Sequence, residues 1–147
     1  MASPDHYLCL VLEGVDYLLP SVASAAIEQR DALQPAPGPG PLVAWRATRL
    51  GRWPAYGLDA GFRPTRPAHW QRAVFFAHAQ QPLGLAADDV RLLGRTEVQV
   101  APFVPPGPAP SPGGHLFNGA WLDGERVVLV LDPRGLAGLL ATVAEAP

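Results

Sequence analysis

Lysine is absent from this chain of 147 residues, and cysteine and methionine occur once each. The basic residues are therefore 11 arginines against 13 Asp and Glu, and a formal net charge of −2 gives no basic footprint for nucleic acid. A single thiol, Cys9, excludes an internal disulfide and a paired-cysteine metal site. We interpret Cys9 as a buried, inert thiol in a reducing compartment.

Long hydrophobic runs are also lacking, because Pro, Gly or charged residues interrupt every apolar stretch well before the roughly 18 residues of a membrane span. The opening "MASPDHYL" has no basic start followed by an apolar run, so it does not predict a secretory signal. We expect a soluble, cytoplasmic protein without direct membrane insertion. Hydrophobic residues make up 48% of the chain, which is enough to predict a single domain, 1–147, with its own core.

Groups that do chemistry are few and scattered. Asp88 and Asp89 are adjacent, and a strand would send them to opposite faces, so a solvated edge or turn is expected rather than acid–base work. "PAPGPGP" has proline where a phosphate-binding loop would begin its helix. No two histidines have the spacing of zinc ligands: His6, His69, His78 and His115. No serine is flanked by the glycines of a nucleophile elbow: Ser21, Ser24 and Ser111. We predict no catalytic, metal or cofactor site.

The first half of the chain is predicted to be β-structure. "YLCLVLEGVDYLLP" indicates a hairpin around a corner from Glu13 to Asp16. "SVASAAIEQ" is interpreted as a turn leading into a strand, although Ser21 could also cap a helical turn. The proline-rich segment 34–41 is predicted to be a loop. "LVAWRATRLGRWPAYGL" predicts two strands joined at 50–52.

Large aromatic side chains accompany that second pair of strands. Trp45 is interpreted as a core residue, while Trp53 is left open between a core position and an anchor for a partner. Further along, "RAVFFAHAQQPLGLAADDV" predicts a strand over 72–79, a turn at 80–81 and a strand over 83–87 that could also continue past the two Asp residues. "TEVQVAPFV" is another strand candidate, and "PPGPAPSPGG" a flexible connector.

The last segment predicts a hairpin followed by a helix. "LFNGAWL" and "RVVLVLD" flank a turn at 123–125, whose Asp-Gly pair suits a hairpin. Asp132 is expected to cap a helix that begins at Pro133, with apolar residues at helical spacing: Leu136, Leu139, Leu140 and Val143. Seven to ten short strands and one terminal helix predict a mainly β fold packed as barrels or a sandwich.

Three segments in this order resemble the CheW-like coupling domain of bacterial chemosensory arrays: "LCLVLEGVDYLLPSVASAAIE", "PLGLAADDV" and the terminal "RVVLVLD" with its Leu-rich helix. The opening "YLLPSVASAAIE" is similar in particular to the PilI-like and ChpC-like adaptors of twitching-motility systems. The resemblance implies two small SH3-like five-stranded β-barrels that share a core. It also implies a non-catalytic adaptor between a methyl-accepting chemoreceptor and the regulatory domain of a CheA-like histidine kinase.

Contact residues follow from the same resemblance. Pro20, Val22 and Ile27 would lie in the first barrel near a groove, and the facing barrel would contribute Leu83, Gly84 and Val90. The family's Arg-Gly pair is matched one residue out of step by "RLGRWPAYGL", which makes contact candidates of Arg49, Gly51, Arg52 and Trp53; Gly57 stands where Asp is usual. The alternatives are a small β-barrel that binds a ligand or peptide as an accessory to an enzyme system and, more remotely, a degenerate hydrolase.

Overall fold

The computed structural model describes residues 6–77, 81–94, 96–109 and 114–145. These residues form twelve strands and one α-helix. The strands are β1 His6–Leu12, β2 Val15–Pro20, β3 Ser24–Gln29, β4 Gln34–Pro35, β5 Leu42–Thr48, β6 Gly51–Gly57, β7 Arg72–Phe76, β8 Leu83–Ala87, β9 Asp89–Gly94, β10 Val100–Pro102, β11 Phe117–Asp123 and β12 Arg126–Leu131; the helix is α1 Pro133–Glu145.

The strands form two sheets, each with five longer strands and one strand of two or three residues. The first sheet has the order β10-β11-β12-β2-β1-β9, and the second has the order β3-β7-β8-β6-β5-β4. Neighbouring strands are antiparallel except for β12 beside β2 and β6 beside β8.

Both sheets curl until their two ends approach each other. In the second sheet, Glu28 of β3 lies 3.9 Å from Arg46 of β5, although these strands stand near opposite ends of the strand order. In the first sheet, Leu93 of β9 and Val100 of β10 pack against one apolar cluster. We call these curled sheets the first barrel and the second barrel.

Several strands are apolar on both faces because they separate two cores. Leu8, Leu10 and Leu12 of β1 point into a core shared by the barrels and α1, while Tyr7 and Cys9 point into the interior of the first barrel. In β7, Val74 faces the shared core and Phe75 faces the interior of the second barrel. The predicted mainly β fold, with two SH3-like subdomains that share a core and a short C-terminal helix, is confirmed.

The predicted hairpins form with turns placed slightly differently. Glu13 and Gly14 alone make the first turn, with φ values of 49° and 80°, so Val15 and Asp16 already belong to β2. The β5–β6 turn lies at Arg49 and Leu50, one residue earlier than expected, and Gly51 opens β6 with φ at 134°. A positive φ favours glycine at that junction.

Three strand predictions need correction. The strand that starts at Arg72 ends at Phe76, and residues 78–80 lie outside the described part of the chain. The strand ending at Ala87 does not continue: the chain crosses at Asp88 into the first sheet, where β9 pairs with β1. "TEVQVAPFV" contributes only Val100–Pro102, since Thr96 and Glu97 form a turn. The loop 34–41 begins with a short strand, β4, paired with β5.

The terminal hairpin and helix are confirmed. Asp132 accepts a hydrogen bond at Oδ1 from the backbone N–H of Arg134, 3.0 Å away, which is the cap that its position predicted. Leu136, Leu140 and Val143 are buried in the shared core, and Leu139 packs at its edge. Within the described residues, no helix combines the length and the apolar character needed to cross a membrane.

Candidate partner-binding surface

The connection from β2 to β3 carries the chain from the first barrel to the second. Pro20 ends β2, Val22 lies in a 3-10 turn against β1, and Ile27 lies in the edge strand β3. Ile27 stands opposite Val74, which is fully buried in the shared core, yet Ile27 itself is 40% exposed. It therefore lies where the shared core reaches the surface. Val22 is 79% exposed.

A similar position occurs on the first barrel at Leu92, which was not among the contact candidates from the sequence. Leu92 lies in the edge strand β9 opposite Leu8, a residue of the shared core, and is 62% exposed. The alternation of Val90 and Leu92 on one face could have indicated this residue, because Val90 is buried in the shared core on the same side of β9. We call Val22, Ile27 and Leu92 the rim residues.

Three predicted contact residues are core residues instead. Leu83 and Val90 are each 4% exposed, and both belong to the shared core. Gly84 is buried beneath Phe75, whose ring would stand 2.6 Å from a Cβ at this position. None of the three offers a side chain to a partner.

Their assignment to barrels also changes. Pro20 and Val90 lie in the first barrel, whereas Ile27, Leu83 and Gly84 lie in the second. The reason is topological, since the chain changes sheets after β2 and again after β8. The expected split, with Ile27 beside Pro20 and Val90 beside Leu83, is therefore wrong.

The β5–β6 hairpin presents its turn to solvent. Leu50 is fully exposed, and Arg49 beside it is exposed as well. Thr48 closes the turn by donating from Oγ1 to the carbonyl of Gly51 at 2.7 Å. A polar and an apolar side chain thus stand together at a rigid tip.

Below the tip, each face of the hairpin carries an arginine over a tryptophan. The Arg52 guanidinium lies 4.3 Å from the ring centre of Trp45, and Arg46 lies 4.7 Å from that of Trp53. Trp45 is only half-buried and lies outside the apolar clusters, so its interpretation as a core residue is wrong. Trp53 packs against the core of the second barrel, with its ring centre 6.0 Å from that of Phe75.

Charged side chains tie together the strand ends of the first barrel. Asp16 Oδ2 accepts from Arg126 at 2.9 Å and lies 3.6 Å from Arg91, while Arg126 also donates to Asp123 at 2.6 Å. Hydrogen bonds from the guanidinium to Asp123 and Asp16 raise the pKa of Arg126 above its ordinary value. Two arginines, each more than half exposed, balance two carboxylates here, so this cluster links β2, β9 and the β11–β12 hairpin but contributes little to stability.

The single thiol and the adjacent Asp pair lie in structural positions. Cys9 is 1% exposed, and burial, with Asp16 nearby, raises the pKa of its thiol although Arg91 acts in the opposite direction. Asp88 accepts from the backbone N–H of Gly14, and Asp89 from that of Val90, which agrees with a turn and edge position. Within the described ranges, no three His, Cys, Asp or Glu residues gather as a metal site would require.

Two curled sheets around a shared core, closed by one terminal helix, define a fold of two SH3-like subdomains. A solved protein with this fold is the scaffolding protein TtCheW from Thermoanaerobacter tengcongensis. The two structures agree with a TM-score of 0.57 over 88% of this chain and 90% of that one, at 14% sequence identity. No family model matches the chain, and no curated protein does. At this identity the likeness shows the fold.

Proposed function

We propose that this protein is a non-catalytic adaptor that couples chemoreceptors to a histidine kinase in a bacterial chemosensory complex. The fold likeness to a scaffolding protein supports the proposal over most of the chain, and so does the order of the three sequence segments described above. In this role the protein would contact a methyl-accepting receptor and the regulatory domain of a CheA-like kinase in the cytoplasm.

The observation that carries the proposal is the exposure of the rim residues. Val22, Ile27 and Leu92 are 79%, 40% and 62% exposed, although Ile27 and Leu92 stand opposite the core residues Val74 and Leu8 of the neighbouring strands. An apolar side chain at the edge of a complete core gains free energy if a partner covers it, by about 25 cal/mol per Å² of buried apolar surface. This rim is the surface that we assign to a receptor.

The tip of the β5–β6 hairpin is the surface that we assign to the kinase. Arg49 is exposed and has no acidic partner among the described residues. Its guanidinium is therefore free to bind a carboxylate through bidentate hydrogen bonds. Leu50 adds a fully exposed apolar contact beside it. The contacts of Arg46 with Trp53 and of Arg52 with Trp45 order these side chains before binding, which would lower the entropy lost on binding.

We further propose a place in a twitching-motility system, of the kind served by PilI-like and ChpC-like adaptors. This finer assignment depends on the "YLLPSVASAAIE" segment. Chemosensory and pilus genes beside this gene would support it, and a neighbourhood without any chemosensory gene would count against it.

The test is a binding measurement with purified partners from the same genome: the cytoplasmic tip of a receptor and the regulatory domain of a kinase. Val22→Asp should weaken receptor binding about tenfold or more, because it places a charge in an apolar contact. Val104→Asp is the matched control, since Val104 is 92% exposed and lies outside the rim. Arg49→Ala should weaken kinase binding in the same assay and leave the melting temperature unchanged.

The outcome that would refute the adaptor is an absence of binding to both partners by the folded wild-type chain. Equal effects of Val22→Asp and Val104→Asp would remove the rim assignment. Recovery of only a metabolic enzyme in a pull-down would favour the alternative of an accessory binding module.

A further inference from the structure

A pocket of about 580 Å³ opens at the mouth of the second barrel. Its apolar wall includes Leu33, Val43 and Trp70, all of which belong to the apolar cluster inside that barrel. Its charged lining residues are Arg30, Asp31 and Arg66. The volume falls within the range of roughly 300–1,000 Å³ typical of small-molecule sites, which also combine apolar walls with a few polar groups.

The strands of this barrel carry small inward residues beside the pocket. Four alanines line the interior, one on each of β5, β6, β7 and β8: Ala44, Ala55, Ala73 and Ala86. Phe75 lies inside the barrel directly over Gly84, and Trp53 packs against it with ring centres 6.0 Å apart. Of the four alanines, Ala44 lines the pocket together with Leu33 and Trp70.

Arg30 is held in place at this opening. Its guanidinium lies 4.7 Å from the ring centre of Trp70, and one terminal nitrogen, Nη1, donates to the carbonyls of Ala68 and Trp70 at 3.3 and 3.2 Å. Among the described residues nothing accepts from Nε or from the other terminal nitrogen. Nη1 therefore holds the Arg30 side chain in place, and Nε and Nη2 can donate hydrogen bonds to a ligand.

The positive charge of the two pocket arginines is not neutralised by ion pairs with the described residues. Arg66 donates only to backbone carbonyls, those of Ala36, Gly40 and Leu42, and neither Arg66 nor Arg30 pairs with a carboxylate of the described residues. The pocket lining therefore contains two guanidinium groups and one carboxylate, that of Asp31. The excess positive charge of the pocket lining therefore favours an anionic ligand.

We propose that this pocket binds a small organic carboxylate, with its apolar body against Leu33 and Trp70 and its carboxylate accepting hydrogen bonds from Arg30. A planar carboxylate matches the fork of a guanidinium, whose charge-assisted hydrogen bonds are about twice as strong as neutral ones. The site does not depend on the adaptor role.

The experiment uses phenylacetate as the probe and phenylacetamide as its uncharged counterpart. The full chain, labelled with ¹⁵N, is titrated up to about 10 mM, which covers the affinity expected of a ligand of this size. The Trp70 indole N–H and the Arg30 Nε–H are followed by NMR. We expect saturable shifts of both signals with phenylacetate and at least about tenfold weaker binding of phenylacetamide, because the amide has no charge.

Two variants locate the site. Arg30→Gln should weaken phenylacetate binding about tenfold or more, because it removes the charged donors. Arg63→Gln is the control, since the Arg63 side chain is 83% exposed and lies outside the pocket, and it should bind with unchanged affinity. If Arg30→Gln does not fold, the comparison of phenylacetate with phenylacetamide on the wild-type chain decides the question.

The proposal is overturned if the Trp70 indole signal does not shift saturably with phenylacetate. It is also overturned if the amide binds as tightly as the carboxylate, or if folded Arg30→Gln retains wild-type affinity. None of these results bears on receptor or kinase binding, so the failure of this site and the failure of the adaptor role are separately visible.

Discussion

Replacing Gly84 by alanine distinguishes a core position from a contact position. Gly84 lies in β8, and a Cβ there would stand 2.6 Å from Cε1 and 2.7 Å from Cδ1 of Phe75. Phe75 is fully buried and packs near Trp53, so its ring has little room to move away. The added methyl group must therefore displace either the ring or the strand.

The expected loss follows from overpacking. Inserting a methylene into a filled core typically costs about 1–3 kcal/mol. For a chain of this size, each kcal/mol lowers the melting temperature by about 2–4 °C, so Gly84→Ala should melt about 2–12 °C below the wild type. Phe75→Leu in the same chain should recover part of the loss, because the shorter side chain can turn its methyl groups away; we expect a coupling of about 1 kcal/mol.

The assay is chemical and thermal unfolding of the wild type, both single variants and the double variant. Gly40→Ala serves as the control, because nothing lies within 4 Å of its added Cβ, and it should leave the unfolding free energy within about 0.5 kcal/mol of wild type. Wild-type stability for Gly84→Ala, together with lost partner binding, would refute the burial argument and restore Gly84 as a contact residue.

Two further predictions concern the shared core and the single thiol. Leu131→Ala should lose about 2–5 kcal/mol in denaturant unfolding, and Leu129→Ala less, because Leu131 is fully buried whereas Leu129 is only partly buried; equal losses would contradict the placement of β12. Cys9 should react with a thiol reagent near pH 8 only on unfolding, since burial excludes the reagent and raises the pKa of the thiol, which lowers its thiolate fraction at that pH; rapid labelling of the native protein would contradict this.

Local patterns were sufficient for most strands and for the terminal helix. "RVVLVLD" alternates between two apolar faces, Asp-Gly marks the turn before it, and Asp132 followed by Pro133 marks a helix start. These features depend on neighbours only a few residues apart, so the sequence alone contains them. The same holds for the lack of paired cysteines, and the resemblance to a two-barrel fold used the order of such segments.

Contact residues could not be assigned in the same way. Leu83 and Val90 are apolar residues of strands, as Ile27 and Leu92 are, and only tertiary packing decides which of them are buried, since Val90 and Leu92 share the edge strand β9. The sequence does not indicate whether the missing side chain of Gly84 makes room for a partner or for the ring of Phe75.

The sequence by itself determined the strands, the turns and the scarcity of reactive groups. Tertiary structure alone decided the edges, the rim and the pocket. Closure of the second barrel brings Arg30, Arg66 and Trp70 to one opening from separate segments of the chain. The physical reason is that alternation records only which residues share a face of a strand, while exposure depends on what packs against that face.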